Sequence, residues 1–144
     1  MTEPGFEGLD HTVQLTHIWI NDVHERLGWG SKHQAYRLLR TVLQALRDRL
    51  SVNEAAHFGA QLPILLRGVY YENWRPAAAR VKERGKKSFL QRIQKDLAPD
   101  SIANLEEAVT SVFEIISARI TAGEVADIRQ SLPANLRALW PLGK

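Results

Sequence analysis

The chain contains no cysteine among its 144 residues. That excludes a disulfide framework, thiolate catalysis, Fe–S clusters and cysteine-type zinc sites, and it fits a reducing cytosol. No stretch approaches 18 uninterrupted apolar residues, so no membrane span is expected. The opening Met1-Thr-Glu-Pro-Gly-Phe-Glu-Gly-Leu-Asp10 has neither a basic start nor an apolar core. It therefore does not read as a signal peptide, and residues 1–10 are predicted to be a loose tail. The expected compartment is the cytoplasm. Charge of one sign is scarce as well: 19 Lys+Arg stand against 16 Asp+Glu, a net +3. With 44% hydrophobic and 24% charged residues the composition is that of an ordered globular protein. A chain of this length buries about 68–70% of its unfolded surface and needs no metal or disulfide staple.

What is present is a repeat. Sliding the sequence by 70 positions lays residues 35–70 over residues 105–140 without a gap. Eight pairs are identical: Val42/Val112, Arg49/Arg119, Glu54/Glu124, Ala56/Ala126, Leu62/Leu132, Pro63/Pro133, Leu66/Leu136 and Arg67/Arg137. Chance gives roughly two or three in such a window. Leu43/Phe113, Leu46/Ile116, Leu50/Ile120, Phe58/Ile128, Val69/Leu139 and Tyr70/Trp140 keep an apolar side chain. At the same offset Trp19, Ile20, Val23 and Leu27 lie over Phe89, Leu90, Ile93 and Leu97. The expectation is a tandem duplication of a unit of roughly 70 residues, covering 11–75 and 76–144. Each copy alone would be marginal, so the two are expected to pack as one body.

The apolar period within each copy is helical, and no run alternates with period two for long enough to make a strand. The expected fold class is all-α, with about eight helices. The first is predicted over residues 12–27, and Gly28-Trp29-Gly30 ends it. Ser31 is an N-cap for the second, whose stripe is Tyr36, Leu39, Val42, Leu43, Leu46 and Leu50. Ser51-x-x-Glu54 and Thr121-x-x-Glu124 read as matching capping boxes. Pro63 and Pro133 suit first helical positions. Ser88-x-x-Gln91 is predicted to cap the fifth helix, and Ser101 or Asp100 the sixth. A further short helix is expected between Pro76 and Arg84.

The block Ala45-Leu46-Arg47-Asp48-Arg49-Leu50, then Glu54-Ala55, then Gln61-Leu62-Pro63-x-x-Leu66-Arg67-Gly68-x-Tyr70-Tyr71-x-x-Trp74-x-Pro76, resembles a bacterial family catalogued only as a domain of unknown function. Leu132-Pro133-x-x-Leu136-Arg137-x-Leu139-Trp140 resembles that family's second Leu-Pro segment. The resemblance covers residues 12–140. It implies a helical fold and a bacterial cytoplasmic setting, and it brings no activity, catalytic residue or ligand.

Motifs of enzymatic chemistry are also missing: there is no G-x-S-x-G, H-E-x-x-H, Walker loop or G-x-G-x-x-G. His17, His24 and Asn21 share one side of the first helix, but two histidines and an amide make a poor metal site. The second copy has Lys87 and Gln94 where those histidines stand. The loop Gly28-Trp29-Gly30-Ser31-Lys32 would present free N–H groups to an anion. Two turn glycines and a cap explain the same residues more simply. Neither a catalytic residue nor a metal or cofactor is expected. Glu54, Glu124, Arg49, Arg119, Arg67 and Arg137 recur, and each has a structural explanation: the glutamates close capping boxes, Arg49 and Arg119 complement the dipole in the last turn of a helix, and Arg67 and Arg137 tie to the last carbonyls of a neighbouring helix or to a carboxylate. Tyr70, Tyr71 and Trp74 are read as packing at the junction.

Two surface features remain. From Arg75 to Asp96 the chain carries eight basic and two acidic residues, a local +6. Arg75, Arg80, Lys82, Arg84, Lys86, Lys87, Arg92 and Lys95 would form a basic strip suited to phosphates of RNA or DNA. Leu15 and Ile18 point away from Trp19, Ile20 and Val23, and their counterparts, Gly85 and Ser88, are small. They are expected either to be buried between layers or to form a patch for a protein partner or a self-dimer. The leading expectation is a non-enzymatic helical module that binds another macromolecule. Nucleic-acid binding through residues 75–95 is the alternative, and an enzyme using carboxylates or histidines from the cleft between the copies is the third reading.

Overall fold

The computed structural model describes residues 4–77 and 81–142. Within them the order is α1 (Pro4–Leu27), α2 (Lys32–Arg47), α3 (Val52–Ala60), α4 (Ile64–Tyr71), α5 (Lys86–Leu97), α6 (Leu105–Arg119), α7 (Ala122–Ser131) and α8 (Ala134–Arg137). The described residues hold no strand, and the chain is all-α. The helix expected between Pro76 and Arg84 is not formed by the described residues there.

Residues 4–10, expected as tail, are helical instead. Proline is tolerated in a first helical turn, where its missing N–H has no partner to lose. Thr12, about two turns further on, is held from outside: its Oγ1 accepts from the Leu65 N–H at 3.1 Å. Met1–Glu3 lie outside the described residues.

The expected caps divide into those that local sequence determines and those that it does not. Ser31 with Gln34, and Ser51 with Glu54, form complete capping boxes. Thr121 caps α7 through the Glu124 N–H, but Glu124 does not return the bond. Gln61 Oε1, reaching from the end of α3, takes the Thr121 N–H first. Pro63 and Pro133 sit one residue before their helices, at the cap itself. Ser88 is not a cap. It lies inside α5 and donates to the Glu83 and Gly85 carbonyls, while Gly85 is the boundary residue. Asn104, not Ser101 or Asp100, caps α6 by accepting from the Glu107 N–H.

Helices at matching places in the two halves bury matching residues. Trp19 and Phe89, Val23 and Ile93, Leu43 and Phe113, Phe58 and Ile128, and Tyr70 and Trp140 are all buried. One core cluster includes them all. The first helix of each half packs on the second helix of the other, α1 on α6 and α5 on α2, while α3 meets α7. Each fully buried large apolar side chain contributes on the order of 1.5–3 kcal/mol. The second half closes on aromatic contacts. Trp140 stacks on Phe113 with centroids 4.4 Å apart, and Phe113 meets Phe89 at 5.9 Å.

The paired arginines do the same task twice. Arg67 donates from Nε to the Gly59 carbonyl at 2.9 Å and from Nη2 to that of Leu62 at 3.0 Å. Arg137 donates to the Arg129 and Leu132 carbonyls, seventy positions on, at 2.8 and 2.7 Å. Each guanidinium thus satisfies carbonyls left open at the end of the preceding helix.

Arg67→Ala and Arg137→Ala are each expected to lower stability by about 1–3 kcal/mol in urea unfolding. Trp140→Ala should cost about 3–5 kcal/mol. A penalty in one arginine variant without one in the other would contradict their equivalence.

Candidate interaction surface

Most of the charged residues that stand out in the sequence are spent inside the fold. α2 is buried along most of its length, so the charges at its end are buried with it. Arg47 is 4% exposed and donates to the Tyr70 and Glu72 carbonyls at 2.8 and 2.9 Å and to Asp48 Oδ1 at 2.9 Å. Arg92 joins Asp48 to Asp96, with 2.8 Å contacts to each. Burial by itself raises the Asp48 carboxyl, but hydrogen bonds from Arg47 and Arg92 outweigh it and hold the group below its ordinary 3.8. Arg49 is also buried, with its guanidinium over the Phe89 ring at 5.0 Å. Desolvation, with Arg92 nearby, lowers it to about 10. Tyr70 donates to the Ala55 carbonyl, and its burial raises the phenol. Trp74 stacks on Tyr71 at 5.2 Å. These residues form the joint that anchors the segment between the halves.

The basic strip is divided by the same logic. Arg92 faces inward to its two carboxylates. Lys86 pairs with Glu106 at 2.8 Å. Arg84 reaches the Ser131 carbonyl at 3.4 Å. Arg75 and Lys82, in the junction, and Lys87 and Lys95, two turns apart on the outer side of α5, are exposed. Arg80 lies outside the described residues.

The carboxylates and the histidine between the halves gather in an open groove of about 300 Å³ lined by Glu54, His57, Glu124 and Asp127. Their arrangement follows from the helix ends. Ser131 donates to Glu54, which also closes the α3 capping box. Glu124, released from its box by Gln61, is raised above 4.5 by burial and by Asp127. His24, one of three histidines on α1, lies 2.8 Å from the Gly30 carbonyl through Nε2 and closes the loop after α1. In that loop Gly28 and Gly30 have φ of 72° and 76°, which the missing Cβ permits without strain. The Ser31 N–H, available to an anion in the sequence reading, is taken by Gln34 Oε1.

The fold also leaves large apolar side chains outside. Ile18 is 40% exposed and Leu15 half-buried, so α1 lies at the surface rather than between layers. Periodicity about Leu15 and Ile18 does not point to the further exposed apolar residues, which lie on α4 and on the other side of α1. Leu9, Val13, Ile64 and Leu65 are all exposed, and the Thr12–Leu65 bond brings the start of α4 beside Leu9 and Val13. Trp29 is 44% exposed. It stands over a groove of about 440 Å³ that includes Leu27, Ile102, Glu107 and Ala108. The offset of seventy held a signal for these positions. Val13, Ile18, Ile64 and Leu65 correspond to Glu83, Ser88, Ala134 and Asn135.

Asp48→Asn should flatten the acid limb of the stability curve. The folded carboxyl is lowered, so its contribution is complete above the unfolded value near 3.8 and is lost as pH falls through the lower folded value. Denaturant melts of both proteins between pH 6 and 2 check this, and parallel curves would contradict it.

No curated protein matches the chain. A family model described as "Uncharacterized conserved protein (DUF2267)" matches residues 16–139. That span takes in the Arg47–Asp48 joint, both Leu-Pro segments and the second half of α1, and the chain belongs to this family of uncharacterised conserved proteins.

Proposed function

We propose that the chain is a non-enzymatic helical module of the bacterial cytoplasm that binds another protein, and that it arose by tandem duplication of one helical unit. One observation carries the reading. Large apolar side chains are exposed on α1 and at the start of α4, where Val13, Ile18, Ile64 and Leu65 match Glu83, Ser88, Ala134 and Asn135 of the second half, and Trp29 is exposed on the loop after α1. Packing within the chain does not account for that difference, because the second half fills the same places in the core without them. Exposed apolar patches on a folded domain mark contact surfaces. The titratable groups support the non-enzymatic side of the reading. The buried ones neutralise the end of α2, and Glu54 serves the end of a helix.

Nucleic-acid binding rests on Arg75, Lys82, Lys87 and Lys95, a smaller set than the strip in the sequence promised. Tagged full-length chain, incubated with lysate of its native cell, separates the readings. A protein partner should be retained by wild type and by a Lys87→Glu/Lys95→Glu variant. Val13→Glu/Ile64→Glu should reduce it at least about tenfold, as expected for substitutions in a hydrophobic contact. Retention of RNA or DNA that only the lysine variant abolishes would contradict the proposal.

A further inference from the structure

Two equivalent grooves, seventy residues apart, are finished differently. One lies between the end of α5 and the start of α2. There Arg37 closes it: Nη2 donates to the Leu97 carbonyl at 3.1 Å and the Asp96 carbonyl at 3.4 Å, and Nη1 to Asp100 Oδ2 at 2.6 Å. A guanidinium thus satisfies the last carbonyls of α5 and complements the negative end of its dipole.

The other groove lies between the end of α1 and the start of α6. The residue at the place of Arg37 is Glu107. Its carboxylate accepts from Asn104 Nδ2 at 2.8 Å. No side chain or backbone donor among the described residues reaches the Arg26 or Leu27 carbonyls, the counterparts of those that Arg37 meets. The groove stays open at about 440 Å³, floored by Leu27, Ile102 and Ala108. Trp29 stands at its edge, set by the two left-handed glycines and the His24–Gly30 contact. Arg26 on the rim is already paired with Glu114 at 3.3 Å. The chain fills one site with a cation and lines its twin with acceptors.

We propose that this groove receives an arginine side chain of a partner protein, flanked in that partner by apolar residues. Its guanidinium occupies the place that Arg37 holds in the twin, between the Glu107 carboxylate and the last carbonyls of α1. Its stem lies on Leu27 and Ile102, and its plane meets the face of Trp29. Arginine suits the site better than lysine because its planar fork donates in several directions at once and stacks on an indole. An anion is disfavoured by Glu107 and by the negative end of α1. This inference rests on the protein-binding reading and names the chemistry of the partner.

The test titrates isotope-labelled full-length protein with the peptide acetyl-Ala-Leu-Arg-Leu-Ala-amide, and with the same peptide carrying citrulline for arginine, followed by NMR. The Trp29 indole N–H and the Leu27, Ile102 and Glu107 amides should shift saturably with the arginine peptide. Citrulline, or Glu107→Gln in the protein, should weaken binding about tenfold, the size of one charge-assisted hydrogen bond. Glu107→Arg should abolish binding and raise the thermal midpoint, because it supplies the α1 carbonyls as Arg37 supplies those of α5. Equal binding of the two peptides, shifts elsewhere on the surface, or binding that survives Glu107→Arg would overturn the inference. If a protein captured from lysate is lost with Val13→Glu/Ile64→Glu but kept by Glu107→Arg, the arginine site is wrong and the protein-binding reading stands. If the lysate yields nucleic acid only, that reading itself falls.

Discussion

The burial of α2 is the constraint from which the other features follow. It carries core residues from Ala35 to Leu46, and three helices outside its own hairpin, α4, α5 and α6, pack on it. A helix enclosed in this way needs a partner from the far half of the chain, and α5 is that partner. α1 makes the reciprocal contact with α6. Neither half owns a closed apolar surface, since each lends its first helix to the other. The charges at the end of α2 are then trapped, and a buried charge without a partner is costly. Arg47, Asp48 and Arg92 answer one another there, and Arg47 also draws in the backbone of the junction through the Tyr70 and Glu72 carbonyls. The neutralised helix end and the placement of the connecting segment are one structure.

Local physics made much of this legible. Helical periodicity and the Ser31 and Ser51 boxes depend on neighbours within four residues, and the structure forms them as read. Arg67 and Arg137 were legible because the same residue recurs at the same distance from a Leu-Pro break. The failures are tertiary. The Thr121 box is opened by Gln61, which comes from another helix. Ser88 resembles a cap but lies in the helix, where a serine readily bonds back to a preceding carbonyl. α1 begins at Pro4 rather than near Thr12, and its early turns meet α4. The basic run looked uniform because sequence charge does not reveal pairing: Lys86, Arg84 and Arg92 find acceptors on α6, α7 and α2. Period alone marks Leu15 and Ile18, whereas Leu9, Ile64 and Leu65 come together only once α4 folds onto α1.

The surface that remains is uneven in a way the core is not. The main apolar core positions are buried alike in both halves, yet their outer faces differ. The first half exposes Ile18, Ile64, Leu65 and Trp29, and the second carries Ser88, Ala134 and Asn135 at the places of the first three, although it exposes Leu142 near its end. Differences confined to the outside cost little, since core substitutions lower stability while surface ones are nearly neutral. The apolar difference falls on α1 and its flanks, while in the carboxylate groove between α3 and α7 Glu54 closes the cap of α3.

The claim that the halves share one core is tested most directly by native-state hydrogen exchange on the whole chain, read at the amides of Val23, Leu43, Ile93 and Phe113. The account predicts one opening free energy for all four, equal to that of global unfolding by denaturant. Exchange at Ile93 and Phe113 through a separate opening, lower than that of Val23 and Leu43 by about 2 kcal/mol or more, would show two independently stable halves and contradict it.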